Sequence, residues 1–89
     1  MKVIWSALAL RDLAAKLDYL NQHNPLAAMR VAKALRAAAD RLGTTPGIGR
    51  PGRRAGTFEL VTARPYILVY QIGEAIEIVR VWHGAEDRD

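Results

Sequence analysis

Three side chains near the end of the chain are of the right types for chemistry on a phosphate. Histidine titrates near neutrality and can serve as a general acid or base. Arginine can grip a phosphate with two parallel hydrogen bonds. His83, Arg80 and Arg64 supply those types. If residues 66–72 and 75–82 pair as strands with Ile72 opposite Ala75, Arg64 falls opposite His83 and Arg80 falls on the other face of the sheet. The blander reading is that His83 closes the sheet end while the two arginines meet a partner's carboxylates. Metal chemistry is not expected. His23 and His83 lie sixty positions apart, no spaced carboxylates accompany them, and there is no cysteine. The stretch Gly47-Ile48-Gly49-Arg50-Pro51-Gly52 lacks the lysine ending and the following helix of a phosphate loop. No cofactor is expected.

The element that must position these groups is a hairpin over residues 64–84. β-Branched and aromatic residues fill both arms, and Gly73-Glu74 reads as a two-residue type II′ turn. With Ile72 opposite Ala75, one face carries Tyr66, Leu68, Tyr70, Ile72, Val79 and Val81. The other carries Ile67, Val69, Gln71, Ile76, Ile78, Arg80 and Trp82. Both faces are apolar, so the sheet needs two covers.

Only one cover is available. Leu10, Leu13, Ala14, Leu17 and Leu20 recur at helical spacing after a Ser6 N-cap. Asp12 and Lys16 stand off that stripe as a favourable four-residue pair. Asn24-Pro25 starts a second helix with the stripe Ala28, Val31, Ala32, Leu35, Ala38, Ala39 and Leu42, and Gly43 reads as its C′ residue. Residues 44–56 read as a loop, 57–62 as a strand, and 85–89 as a polar tail. The predicted order is β-α-α-β-β-β in a single α+β domain, a two-helix hairpin on one face of a small, mostly antiparallel sheet. The face with Gln71 and Arg80 is left open.

Composition agrees with a soluble domain: of 89 residues, 51% are hydrophobic and 25% charged. The absence of cysteine and of any transmembrane-length apolar stretch fits a cytoplasmic protein without membrane contact. Charge is unevenly placed. Residues 41–64 contain Arg41, Arg50, Arg53, Arg54 and Arg64 against Glu59 alone, so the whole net charge of +4 sits there. Such a patch attracts nucleic acid or an acidic protein segment, or is simply a solvated loop.

Taken together, four stretches resemble the RelE/ParE superfamily of toxins from bacterial type II toxin–antitoxin systems, most of all its ParE-like branch. They are Val3-Ile4-Trp5-Ser6 with Ala9, Asp12 and Leu13; Asn24-Pro25 with Ala27-Ala28; Pro46 through Gly49-Arg50-Pro51-Gly52-Arg53 with Gly56-Thr57-Phe58-Glu59-Leu60; and Pro65-Tyr66-Ile67-Leu68-Val69-Tyr70 with Ile78-Val79-Arg80-Val81-Trp82-His83-Gly84-Ala85. The resemblance spans almost the whole chain in order and spacing.

It implies a growth-arresting toxin neutralised by a cognate antitoxin that lays an extended or helical segment over it. The open face and the arginine loop are the expected surface for antitoxin or target: Arg50, Arg53, Arg54, Ile67, Val69, Ile78, Arg80 and Trp82. RelE-type members are ribosome-dependent ribonucleases that set cations around the scissile phosphate of mRNA. An arginine typical of their hairpin strand is Ile67 here. Their basic positions on the preceding strand fall near Phe58 and Leu60, and a final arginine falls near Gly84. ParE-type members inhibit DNA gyrase by contact, and the chain fits them better, although Phe58 replaces an arginine common in that branch. The alternatives are a ribonuclease with a reduced site of Arg64, Arg80 and His83, and a non-toxic interaction domain on the same fold.

Overall fold

A computed structural model describes residues 1–84 and Glu86; the rest of the expected polar tail, at 85 and 87–89, lies outside the described residues. The elements are β1 (Val3–Trp5), α1 (Ala7–His23), α2 (Pro25–Thr44), a 3-10 turn (Pro46–Ile48), β2 (Arg50–Pro51), β3 (Phe58–Thr62), β4 (Tyr66–Ile72) and β5 (Ile76–His83). The strands form one sheet in the order β1-β5-β4-β3-β2, with β1 parallel to β5 and the other pairs antiparallel. This is the expected α+β arrangement. The short strand β2 and the 3-10 turn lie within the stretch that reads as plain loop.

Both helices begin where the sequence says they should. Ser6 Oγ accepts the Ala9 N–H at 3.0 Å, and Asn24 Oδ1 accepts the Ala27 N–H at 3.1 Å. Each bond satisfies one of the orphan donors of a first helical turn. The end of α2 differs from expectation. The helix runs through Gly43 to Thr44, and Gly43 is buried. A Cβ there would lie 2.7 Å from Met1 O and 3.2 Å from Val3 Cγ2. This glycine lets β1 approach the helix; it is not a left-handed cap.

The helical hairpin covers one sheet face. Ala9, Leu35, Ala38, Ala39 and Leu42 pack on Tyr66, Leu68, Tyr70, Ile76, Ile78 and Val81. Burying each larger aliphatic among these contributes about 1.5–3 kcal/mol. On α1 the core contact is Ala9, with Leu13 and Leu20 packed beside it, whereas Leu10 is half exposed. Smaller alanines bring the helix nearer the sheet than a leucine at that position would allow.

The β4–β5 register corrects the expected one. Ile72 pairs with Ile76, not Ala75, and Gly73 lacks the positive φ of a type II′ turn. Three residues therefore turn the chain, and Gly73 N–H donates to Ala75 O at 3.0 Å. A β-bulge follows. Tyr70 pairs with Ile78 while its neighbour Val69 pairs with Arg80, leaving Val79 extra. The turn and the bulge each add one residue, so His83 ends opposite Tyr66, where the expectation put Arg64. Because side chains alternate between faces, Ile76 and Ile78 move from the open face into the core, fully buried. Val79 moves out.

Candidate functional site

The open face is built in rows across the sheet. One row runs Arg50–Glu59–Val69–Arg80, and the next Val61–Ile67–Trp82. At the β1 edge, Ile4 lies beside Glu77, which faces Gln71. A groove of about 270 Å³ opens on this face, lined by Leu8, Arg53, Arg54, Thr57, Glu59, Val69, Gln71, Val79, Arg80 and Trp82. Among the described residues its lining carries Arg53, Arg54 and Arg80 against Glu59.

The arginine side of the groove is a folded hairpin loop. Gly52 N–H donates to Thr57 O at 2.8 Å, and Thr57 Oγ1 donates to Arg54 O at 2.6 Å. Gly52 is obligatory there, since a Cβ would meet Thr57 Oγ1 at 2.3 Å. Gly56, at φ +81°, takes the left-handed conformation that glycine adopts without strain. Beneath the loop, Tyr70 Oη accepts the Gly49 N–H at 3.0 Å and donates to Pro46 O at 2.7 Å. One buried phenol thus anchors the 3-10 turn leading into β2. Glu59, 6% exposed, is paired with Arg50, whose Nε and Nη2 lie 3.2 and 3.1 Å from Oε1. The glutamate's charge is therefore offset locally.

The opposite wall rests on the edge of β5 beyond the end of β1. There the strand's polar groups would face solvent, and side chains from helix α1 and the chain end close them. Ser6 Oγ donates to Val79 O at 3.2 Å, Asp12 Oδ2 accepts the Val81 N–H at 2.9 Å, and Glu86 Oε1 accepts the His83 N–H at 2.7 Å. Asp12 also takes Arg80 through both carboxylate oxygens, Nε to Oδ2 at 2.8 Å and Nη2 to Oδ1 at 3.1 Å. The guanidinium lies over the Trp82 ring, 4.1 Å from its centroid. Lys16 reaches Glu86 at 2.8 Å.

These contacts set the ionisation of the carboxyls. Burial works to raise the pKa of Asp12, but the Arg80 and Val81 hydrogen bonds and the nearby Arg80 and Lys16 charges outweigh it, and the net shift is downward. Glu86 shows the same balance: burial is outweighed by Lys16 and the His83 N–H. Burial, with the Glu86 charge, raises Tyr66.

The expected site residues fare unequally. Arg53, Arg54, Val69, Arg80 and Trp82 line one groove, and Arg50 stands beside it through Glu59. Ile67 lies on the same face but is only 5% exposed, enclosed in its central strand. Ile78 is displaced: it is a core residue on the helix side, set opposite Tyr70 by the three-residue turn. The candidate phosphate set is divided between the two faces of the sheet. His83 packs edge-on against Tyr66, ring centres 5.3 Å apart, and Arg64 is exposed in the turn between β3 and β4. Arg80 belongs to the other face.

Sequence reasoning missed Asp12 as the partner of Arg80, pairing it with Lys16 four residues on. Nothing local marks a contact 68 positions away. The available signal was that a carboxylate on a core-covering helix needs a cationic or N–H partner. No group of potential metal ligands occurs among the described residues, and no described helix is long and apolar enough to cross a membrane.

Comparison with known proteins places this geometry. The profile of the ParE toxin family of type II toxin–antitoxin systems matches residues 3–88. Toxin RelE2 of Caulobacter vibrioides is 42% identical over 85 residues, covering 94% of this chain and 96% of the relative. The solved chromosomal ParDE toxin–antitoxin system of P. aeruginosa superposes with a TM-score of 0.82 at 25% identity, over 93% of this chain and 95% of that one. The RelBE2 toxin–antitoxin complex of Mycobacterium tuberculosis gives 0.61 at 28% identity, over 92% and 95%. The chain belongs to the ParE toxin family, within the RelE/ParE superfamily of toxins of type II toxin–antitoxin systems.

Proposed function

We propose that this toxin arrests growth by binding through its open sheet face, that its target is DNA gyrase, and that a cognate antitoxin silences it by covering the same groove. The observation carrying this reading is the separation of the candidate phosphate residues. Arg80 is held by Asp12 over Trp82, His83 faces the other way against Tyr66, and Arg64 lies in an exposed turn. A general acid/base must reach the same reacting atoms as the cations that stabilise charge, and Arg80 and His83 do not share a face. A half-buried tryptophan beside arginines is instead the composition of an interface hot spot. The antitoxin part of the reading is supported by the solved relatives, which are toxin–antitoxin systems.

A second reading keeps ribonuclease activity. It draws on the relative named RelE2 and on the three arginines around one groove. The two separate in parallel assays of the purified toxin: gyrase supercoiling, and a translating ribosome with defined mRNA. Loss of supercoiling with intact mRNA is the expected outcome. Undisturbed supercoiling alongside cut mRNA would replace the first reading with the second.

A further inference from the structure

We propose that Asp12 is a positioning residue for the groove: it fixes the Arg80 guanidinium over Trp82, so that cation and indole are presented as one rigid element. Its function in inhibition rests on the reading of the open face as the binding surface; the positioning itself does not.

Three observations meet at Asp12. First, its carboxylate grips one edge of the Arg80 fork with bonds of 2.8 and 3.1 Å. Two parallel bonds fix the plane of a guanidinium, which a single contact leaves free to rotate. Second, the same Oδ2 accepts the Val81 N–H at 2.9 Å. That bond ties the carboxylate to the backbone next to Arg80 and just past the bulged Val79. Side chain and strand are thus referenced to one anchor. Third, the anchor is itself well fixed, since the Asp12 side chain is only 12% exposed and sits on a helix whose start is capped by Ser6.

The consequence for the groove is geometric. An arginine on a strand edge sweeps a wide volume and loses that freedom on meeting a partner. Here the freedom is already removed. The guanidinium carbon is held 4.1 Å from the centre of the indole. Direct contact pairs Asp12 with Arg80 and Lys16 with Glu86, so the hydrogen bonds of Asp12 serve the groove while Lys16 acts on it only through its nearby charge.

The test uses Asp12→Asn, which keeps the shape and an acceptor for Val81 but loses the bidentate charge pair. In proton–nitrogen NMR spectra of the free protein, the Arg80 Nε–H should lose its protection from exchange and the Trp82 indole signal should shift, with Trp5 as the unmoved control. Unchanged Arg80 and Trp82 signals would overturn the proposal whatever the target is. The functional arm is a double-mutant cycle on the concentration needed to inhibit supercoiling. Asp12→Asn should raise that concentration about tenfold in the parent protein and have almost no further effect in Arg80→Ala. An equal effect in both backgrounds would reduce Asp12 to a residue of general stability and overturn the functional part. If the parent toxin leaves gyrase untouched, the gyrase reading fails, and the same cycle is read on growth arrest after induced expression.

Discussion

Tyr70 and Ile78 face each other across strands β4 and β5, while Val69 next to Tyr70 faces Arg80, so Val79 between them has no opposite number. The three-residue turn already sets Ile78 toward the helices, and the added residue at Val79 then keeps Arg80 on the groove and Val81 in the core. Ile78 is fully buried and Val79 is half-buried on the groove. Ile78→Ala should cost about 2–5 kcal/mol, the range for truncating a large buried aliphatic. Val79→Ala should cost well under that, and chemical denaturation of the two variants measures the contrast. Under an unbulged register with Ile72 opposite Ala75, the order of the two would reverse.

Trp82 and Arg80 lie together, yet their truncations should behave differently. Trp82→Ala removes groove surface and should weaken antitoxin binding by tenfold or more, at about the magnitude of a hot-spot residue, with the melting temperature little changed. Arg80→Ala also strips Asp12 of its cationic partner, and that carboxylate is nearly buried. A stability loss of about 1–3 kcal/mol should accompany the binding loss. Calorimetric titration and thermal melts on both variants separate the two effects. A melt of Arg80→Ala matching the parent would show that Asp12 does not depend on it.

Acid should loosen this corner first. The folded pKa values of Asp12 and Glu86 lie below their ordinary values of 3.8 and 4.5. Their stabilisation is complete above the unfolded values and is lost as pH falls through the folded ones. Urea unfolding at pH 7 and near pH 3 should therefore show a smaller drop for Asp12→Asn than for the parent. Equal drops would remove Asp12 from the account of acid sensitivity.

Tyr70 offers a test of the groove's other wall. Its hydroxyl bridges Gly49 N–H and Pro46 O from a fully buried ring. Tyr70→Phe leaves both groups without that partner and should cost about 1–3 kcal/mol. Hydrogen exchange should rise at Gly49 and through the arginine loop while the helices stay protected. Gly49→Ala should do similar damage, because its Cβ would lie 2.4 Å from the same hydroxyl. Protection unaltered in both variants would mean that the phenol does not hold the loop.

Much of the fold was legible because its signals are local. Ser6 and Asn24-Pro25 mark helix starts through side chains that serve N–H groups three residues on. The apolar stripe of α2 is repeated every three or four residues, and the core uses nearly all of it. The surplus of apolar strand surface over helix surface told in advance that one sheet face has no helix on it. Of the groove, the sequence identified Arg53, Arg54, Val69, Arg80 and Trp82.

Tertiary structure decided the rest. In Ile76-Glu77-Ile78-Val79-Arg80-Val81 the polar residues stand three apart and break the alternation, but that does not say whether Ile78 or Val79 turns inward, because a β-branched side chain suits either face. Only pairing with β4 settles that Ile78 is core and Val79 is groove. Gly43 reads as a helix stop until the chain leading into β1 is seen to pass over it, with Met1 O within 2.7 Å of its missing Cβ. Asp12 reads as a surface partner of Lys16 until α1 is laid across the edge of β5, where an N–H and a guanidinium await a carboxylate. The sequence by itself determined the two helices with their N-caps, the longer strands and the family. What only the folded chain decided was which residues meet across long separations, since those contacts depend on register and on where a helix crosses a strand, which no local spacing encodes.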